Sequence, residues 1–232
     1  MVFFISEIGV NWDGDYAIAK KMIEKSKECG CDAVKFQSFN EELIKSHPEK
    51  KRLMKTTITE ENIGKIDRIA KDVDIEWFAT PMYPDAVKIL EPYVKRFKMR
   101  EFDGRQLINN NNNELIQNLI NTKKEVIIST EKSPKNCNFY KKPDFKWLYC
   151  VPKYPCSLNE LNFSKLDDFD GYSNHVPEII APLTAIILGA NIIEVHITND
   201  KSKNFVDNNV SLDYDKLKKL IEFSHQSELI KK

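Results

Sequence analysis

Short apolar runs alternate along this chain with longer stretches in which apolar residues recur at helical spacing. The runs predict β-strands at residues 2–6, 33–37, 76–79, 96–99, 125–129, 146–150, 171–173 and 192–196. The helical spacing predicts helices at 16–28, 59–73, 84–92, 114–121, 178–188 and 214–228, with a weaker one at 158–169. In the first helix Ile18, Met22 and Ile23 share a face, Asp15 suits the N-cap and Gly30 the C-terminal stop. Glu60 and Glu61 suit the first turn of a helix opened by Thr59. The five asparagines at 109–113 read as a loop and helix cap. Between 130 and 144 helical period is absent, and Pro134 and Pro143 interrupt a lysine-rich stretch, so the fifth helix reads as a loop. Eight strands, nearly all followed by a helix, predict an α/β fold: one (β/α)8 TIM barrel over residues 1–232, without internal repeat.

A chain of 232 residues is about right for one such barrel. Lys and Arg number 35, as do Asp and Glu, so there is no net charge to draw the chain to nucleic acid or an anionic membrane. A phosphate site would have to be local. No apolar run is long enough to span a bilayer. Residues 1–8 are apolar but lack a basic region and run into Glu7, which suits a first strand rather than a signal peptide. The five cysteines are odd in number and form no CxxC pair, which predicts reduced thiols and a cytoplasmic protein. Cys137, Cys150 and Cys156 fit no standard zinc spacing.

Barrel enzymes carry their chemistry at the C-terminal ends of the strands. Those ends hold Glu7 and then Asn11, Lys35 with Gln37, Thr80, Lys98 followed by Arg100, Glu101 and Asp103, then Ser129 with Thr130, Tyr154, Ser173 with His175, and His196. Two lysines and several hydroxyls at one mouth suit a small phosphorylated anion. Two histidines on neighbouring strands suit a divalent metal with open positions, able to polarise a carbonyl oxygen. Each residue also has a plainer reading. A strand-end lysine is usually solvated, a lone histidine is usually structural, and Glu101 with Asp103 is either an acid–base pair or a solvated turn. His47 and His225 read as surface residues.

At these residues the sequence resembles the N-acetylneuraminate (sialic acid) synthase family. The resemblance runs through Glu7-Ile8-Gly9-Val10-Asn11, Asp32-Ala33-Val34-Lys35-Phe36-Gln37, Ala79-Thr80-Pro81, Lys98 and Ile128-Ser129-Thr130. It continues in Cys150 with Tyr154-Pro155, Gly171-Tyr172-Ser173-Asn174-His175, Gly189-Ala190 and Ile193-Glu194-Val195-His196, and ends at Asp207 before Ser211-Leu212. The ordered set covers nearly the whole chain. It implies the barrel fold, a divalent metal (Mn2+ or Mg2+) and condensation of phosphoenolpyruvate with an N-acyl-hexosamine or related sugar aldehyde. The product would be a sialic-acid-like 2-keto-3-deoxy sugar acid. Carried over by position, His175 and His196 would bind the metal. Lys35, Thr80, Lys98, Ser129 and Ser173 would hold phosphoenolpyruvate, and Gln37, Tyr154 and Asp207 the open-chain sugar. Lys98, Glu7 and Asp103 would stand nearest the chemistry.

The chain departs from the family pattern at Trp12 (usually histidine), Glu101 (a serine), Glu131-Lys132 (Gly-Met), Pro152 (a small or amide-bearing residue) and Asn174 (aspartate). The resemblance also implies a barrel domain alone, without the family's C-terminal antifreeze-like domain, and hence a homodimer or a separate cap-domain chain as partner. Two other readings start from these departures: a divergent metal-dependent aldol-type barrel enzyme that does not use phosphoenolpyruvate, and a non-catalytic sugar-binding partner subunit.

Overall fold

The computed structural model describes residues 1–230. Its strands are β1 (Phe3–Glu7), β2 (Ala33–Ser38), β3 (Glu76–Pro81), β4 (Arg96–Met99), β5 (Glu125–Thr130), β6 (Phe145–Tyr149), β7 (Gly171–Asn174) and β8 (Ile192–His196). All pair in parallel in the order β3-β2-β1-β8-β7-β6-β5-β4. The outer strands β3 and β4 lie against each other, so the sheet curls into a nearly closed TIM barrel. The predicted strands are all present.

The helices are α1 (Tyr16–Cys29), α2 (Lys50–Leu53), α3 (Ile63–Val73), α4 (Pro84–Leu90), α5 (Glu101–Ile108), α6 (Glu114–Asn121), α7 (Ile180–Ile187) and α8 (Tyr214–Ile230). Asp15 caps α1 by accepting from the Ala17 amide at 2.7 Å, and Gly30 ends it in the left-handed region at φ 99°. Asn113 caps α6 through the Ile116 amide. Residues 131–144 carry no helix, as expected of the stretch with Pro134 and Pro143.

Four expectations change, the first being the short, unpredicted α2. The helix expected from 59 begins at Ile63, because Thr59 is taken up in a turn whose amide donates to Asn62 Oδ1. The weak helix at 158–169 is a pair of 3-10 turns, Leu158–Glu160 and Phe163–Asp168. Helix α5 was not expected at all. It lies hard against β5, and Gly104 makes that possible: a Cβ there would stand 2.3 Å from the Ser129 carbonyl oxygen.

Strand alternation sorts the side chains into two layers. Phe4, Phe36, Phe97, Ile128 and Ile193 are fully or almost fully buried in the large core that also holds Met22, Ile23, Ile66 and Leu220 of the helices. On the alternate positions, Arg96 forms ion pairs with Glu76 and Glu125 at the N-terminal end of the barrel and lies over the Phe3 ring. At the other end the register sets Glu7 level with both Lys35 and His196, and Ser173 level with Glu194. Polar residues far apart in sequence are thereby brought to one height at the C-terminal rim.

Candidate active site

A cavity of about 630 Å³ opens at that rim. Its wall includes Glu7, Lys35, Gln37, Thr80, Lys98, Ser129, Tyr154, Ser173, His175, His196 and Asp207. Of the site residues expected from sequence, Asp103 alone is absent from the wall. It is buried behind the cavity on α5 and accepts a hydrogen bond from Arg100 Nε at 2.6 Å. The first turn of α5 is therefore not a solvated turn. Glu101 and Asp103 are both buried, and only Glu101 reaches the cavity.

The cavity floor is a buried charge network. Lys35 Nζ lies 2.8 Å from Glu7 Oε2, 3.7 Å from Glu194 Oε1 and 3.2 Å from Thr80 Oγ1. Lys98 Nζ donates to Glu194 Oε2 at 2.9 Å, and Ser173 Oγ to Glu194 Oε1 at 3.0 Å. Gln37 Nε2 donates to Glu7 Oε1 at 2.8 Å. Burial opposes ionisation of Glu194, but Lys35 and Lys98 outweigh it and hold the carboxyl down at about 2. Burial raises the pKa of Glu7 despite Lys35, and it lowers that of Lys98 despite Glu194. Two ammonium groups and two carboxylates thus form one buried network, with Lys35 between Glu7 and Glu194 and Lys98 on Glu194 alone. Ser129 Oγ is buried on the same wall without a hydrogen-bond partner.

Glu194 was not singled out in the sequence. Period-two alternation was the available signal, since it places Glu194 on the same strand face as His196.

The two histidines line the same cavity, with ring centroids 5.3 Å apart. His175 Nδ1 is 2.8 Å from the Val151 carbonyl oxygen, which makes it the protonated nitrogen and leaves Nε2 the acceptor, with the Cys150 thiol 4.0 Å away. Burial holds the His175 pKa down, favouring the neutral, ligating form. His196 Nδ1 is buried and faces Asp207 Oδ2 at 3.3 Å without completing a hydrogen bond. Tyr154 lies on His175 at 4.0 Å between centroids. Among the described residues, no third His, Cys, Asp or Glu completes a metal-holding cluster. Two imidazoles alone would leave most of an ion's coordination positions to water or substrate. Cys150, 3.9 Å from His175 Nδ1, has its thiol pushed up to about 12, mainly by burial, and stays protonated.

Loops after the strands complete the site. Asn11 is fully buried: its Oδ1 accepts from the Asp207 amide at 3.0 Å, and its Nδ2 donates to the Ile197 carbonyl at 2.8 Å and to Ser211 Oγ at 2.9 Å. This ties the loop bearing Asp207 to the loop after β1. Trp12, a departure from the family pattern, does not reach the cavity. Its ring packs on Phe36 and Tyr16, and its Nε1 donates to the Thr56 carbonyl. Pro152 does reach the wall, as does His47, which is exposed at the outer rim. His225 is exposed on α8. Glu101 on the wall has Arg105 Nη2 3.5 Å away.

The NeuB family profile matches residues 22–232. A protein of unassigned function from Methanocaldococcus jannaschii is 30% identical over 94% of this chain and 68% of its own length. The N,N'-diacetyllegionaminic acid synthase of Campylobacter jejuni is 30% identical over 93% of this chain and 73% of its own. The crystal structure of the N-acetylneuraminic acid (sialic acid) synthetase of Leptospira borgpetersenii serovar Hardjo-bovis, in complex with citrate, superposes with a TM-score of 0.85 at 26% identity. The match covers 99% of this chain and 84% of that one.

Proposed function

Because this chain belongs to the NeuB family, we propose that it is a sugar acid synthase that condenses phosphoenolpyruvate with an N-acyl-hexosamine or related sugar aldehyde. The products are a 2-keto-3-deoxy sugar acid and inorganic phosphate. The observation that carries this reading is the buried pair Lys35 and Lys98 around Glu194, on the same cavity wall as two imidazoles whose ring centroids are 5.3 Å apart.

In this reading Lys35, Lys98, Thr80, Ser129 and Ser173 bind the phosphate and carboxylate of the donor. The unpartnered Ser129 hydroxyl supplies a directed donor where the lysines supply charge. Gln37, Tyr154 and Asp207 orient the open-chain acceptor so that its aldehyde carbon meets C3 of phosphoenolpyruvate. Water adds at C2 of the resulting cation, and phosphate leaves with cleavage of the C–O bond. Glu7 Oε2 handles the proton of that water; the carboxyl is held by Gln37 and Lys35, and its burial raises its pKa. Asp103 acts from behind the wall by fixing Arg100, not by touching substrate. His175 and His196 would hold Mn2+ or Mg2+, which when bound supplies a Lewis acid for the aldehyde oxygen.

Incubating the full chain with phosphoenolpyruvate, Mn2+ and a panel of N-acyl-hexosamines should release inorganic phosphate with at least one acceptor. Lys98→Met should cut that rate by roughly a thousandfold. Silence with every acceptor overturns the proposal. One observation favours a second reading: Glu101 on the wall would repel a phosphate unless Arg105 offsets it. Calorimetry that finds metal binding but no phosphoenolpyruvate binding would select a metal-dependent aldol-type reaction instead.

A further inference from the structure

The loop between β8 and α8 carries Asp207 to the cavity wall, and its own sequence does little to hold it there. Residues 199–211 show neither helical nor alternating period and are rich in Asn, Asp and Lys. The loop is closed at its base by a bridge between Ile197 and Leu212. The Leu212 amide donates to the His196 carbonyl at 2.7 Å, and the Thr198 amide donates to the Leu212 carbonyl at 3.0 Å. Above that base, main-chain carbonyls turn inward. Those of Asp200, Lys201 and Lys203 all face Asn208 Nδ2, the first two at 3.3 and 3.2 Å. An amide nitrogen has two hydrogens and cannot fully serve three acceptors, so the loop interior is rich in carbonyl oxygen.

Into that interior the chain folds its own cation. Lys201 is an exposed residue, but its Nζ turns back to donate to the carbonyls of Asn208 at 2.5 Å and Ser211 at 2.9 Å. Burial holds the pKa of this ammonium down. A solvated surface lysine would leave its three hydrogens to water. This one gives two of them to a single stretch of main chain that begins where Asp207 ends. The same stretch is clamped from within the loop and from the barrel. Ser211 Oγ donates to the Asp207 carbonyl at 2.7 Å, and the Asp207 amide donates to Asn11 Oδ1 at 3.0 Å. With its main chain so held, Asp207 presents Oδ2 on the cavity wall, 3.3 Å from His196 Nδ1.

We propose that Lys201 is a positioning residue, whose ammonium serves as a built-in cation that locks this loop and fixes where the Asp207 carboxylate meets the acceptor. The proposal rests on the synthase reading above, which assigns Asp207 to the open-chain sugar. Lys201 lies off the cavity wall and acts only through the main chain it holds. A bond from an ammonium to a carbonyl is charge-assisted, and without it two carbonyls of the loop lose their donor. The main chain at Asp207 would then drift, and a small misplacement of its carboxylate weakens the hold on the acceptor while leaving the donor's lysines where they are.

Two variants and two readouts test it. Lys201→Met keeps the stem and removes the charge. In the phosphate-release assay it should raise the acceptor KM about tenfold, with the KM of phosphoenolpyruvate and kcat each within about twofold of wild type. Lys201→Ala should do the same, and propylammonium, which replaces the atoms removed, should bring its acceptor KM back down about threefold or more, whereas propanol at the same concentration should not. The second readout needs no substrate. Deuterium exchange at the amides of residues 207–211 should quicken about tenfold or more in Lys201→Met, while the amides of β8 keep their wild-type rates. Wild-type exchange in that loop overturns the lock. Faster exchange with an unchanged acceptor KM, or rescue by propanol as good as that by propylammonium, overturns the positioning role of the charge. All three results leave the synthase reading standing. A wild-type chain that releases no phosphate with any acceptor overturns the synthase reading, and the positioning role with it.

Discussion

At Gly9 the backbone turns through φ 53°, and a Cβ there would lie 3.0 Å from Glu7 Oε1, 3.2 Å from Gln37 Nε2 and 3.4 Å from Asp207 Oδ2. Three groups assigned to the chemistry close over the one position that has no side chain. Gly9→Ala should cost about 1–2 kcal/mol of stability, because L residues disfavour this region. It should cost more in activity, about a hundredfold in kcat/KM, because the crowded groups must each shift. Urea unfolding and steady-state kinetics on the same preparation separate the two effects, and a variant with wild-type kcat/KM would show that the convergence is irrelevant. Asn11 works at one remove. It touches no cavity space but holds the Asp207 amide and two groups of the loop after β8. Asn11→Ala should therefore raise the acceptor KM about tenfold while moving that of phosphoenolpyruvate by less than about twofold. A merely destabilising change would raise both or neither.

Among the elements, those with a clean period were legible and those shaped by contact were not. The strands were readable because the barrel buries both their faces, and Asp15, Gly30 and Asn113 punctuate helices in the expected way. Helix α5 was hidden because Gly104 weakens its helical signal; the reason for that glycine is a β5 carbonyl that no local pattern reveals. Asp103 was misplaced for the same reason, since a residue read as following a strand sits on a helix and turns behind the wall. Glu194 shares a strand face with His196 by alternation, but a glutamate inside a buried strand carries no local mark of the lysines it will meet. Trp12 shows the converse, a departure from the family pattern whose meaning is structural. It joins the loop after β1 to the loop after β2 by filling core space and donating to Thr56. Trp12→His, which restores the family residue, should destabilise the chain by about 3 kcal/mol through the lost volume. A urea midpoint within error of wild type would show that the loop does not need the indole.

For the molecule as a whole, the barrel does the gathering: β7 and β8 are neighbours, so His175 and His196 meet although 21 positions separate their numbers. The protein adds little reorganisation of its own, because Val151 already sets the tautomer of His175, and both rings are buried in place. An ion that binds such a preset pair binds the folded chain and not the unfolded one. It should then raise folding stability by about 2.7 kcal/mol at a hundredfold excess over Kd. For a chain of this size each kcal/mol moves the melting midpoint by roughly 2–4 °C, so Mn2+ should raise Tm by about 5–10 °C. His175→Ala and His196→Ala should each abolish the rise, whatever they do to the starting Tm, because one imidazole cannot replace two. This readout needs neither phosphoenolpyruvate nor an acceptor, so it tests the metal independently of the reaction. A wild-type chain whose Tm ignores Mn2+ and Mg2+ would leave the facing histidines as a purely structural pair, and the polarisation of the aldehyde would have to come from Lys98 and its neighbours alone.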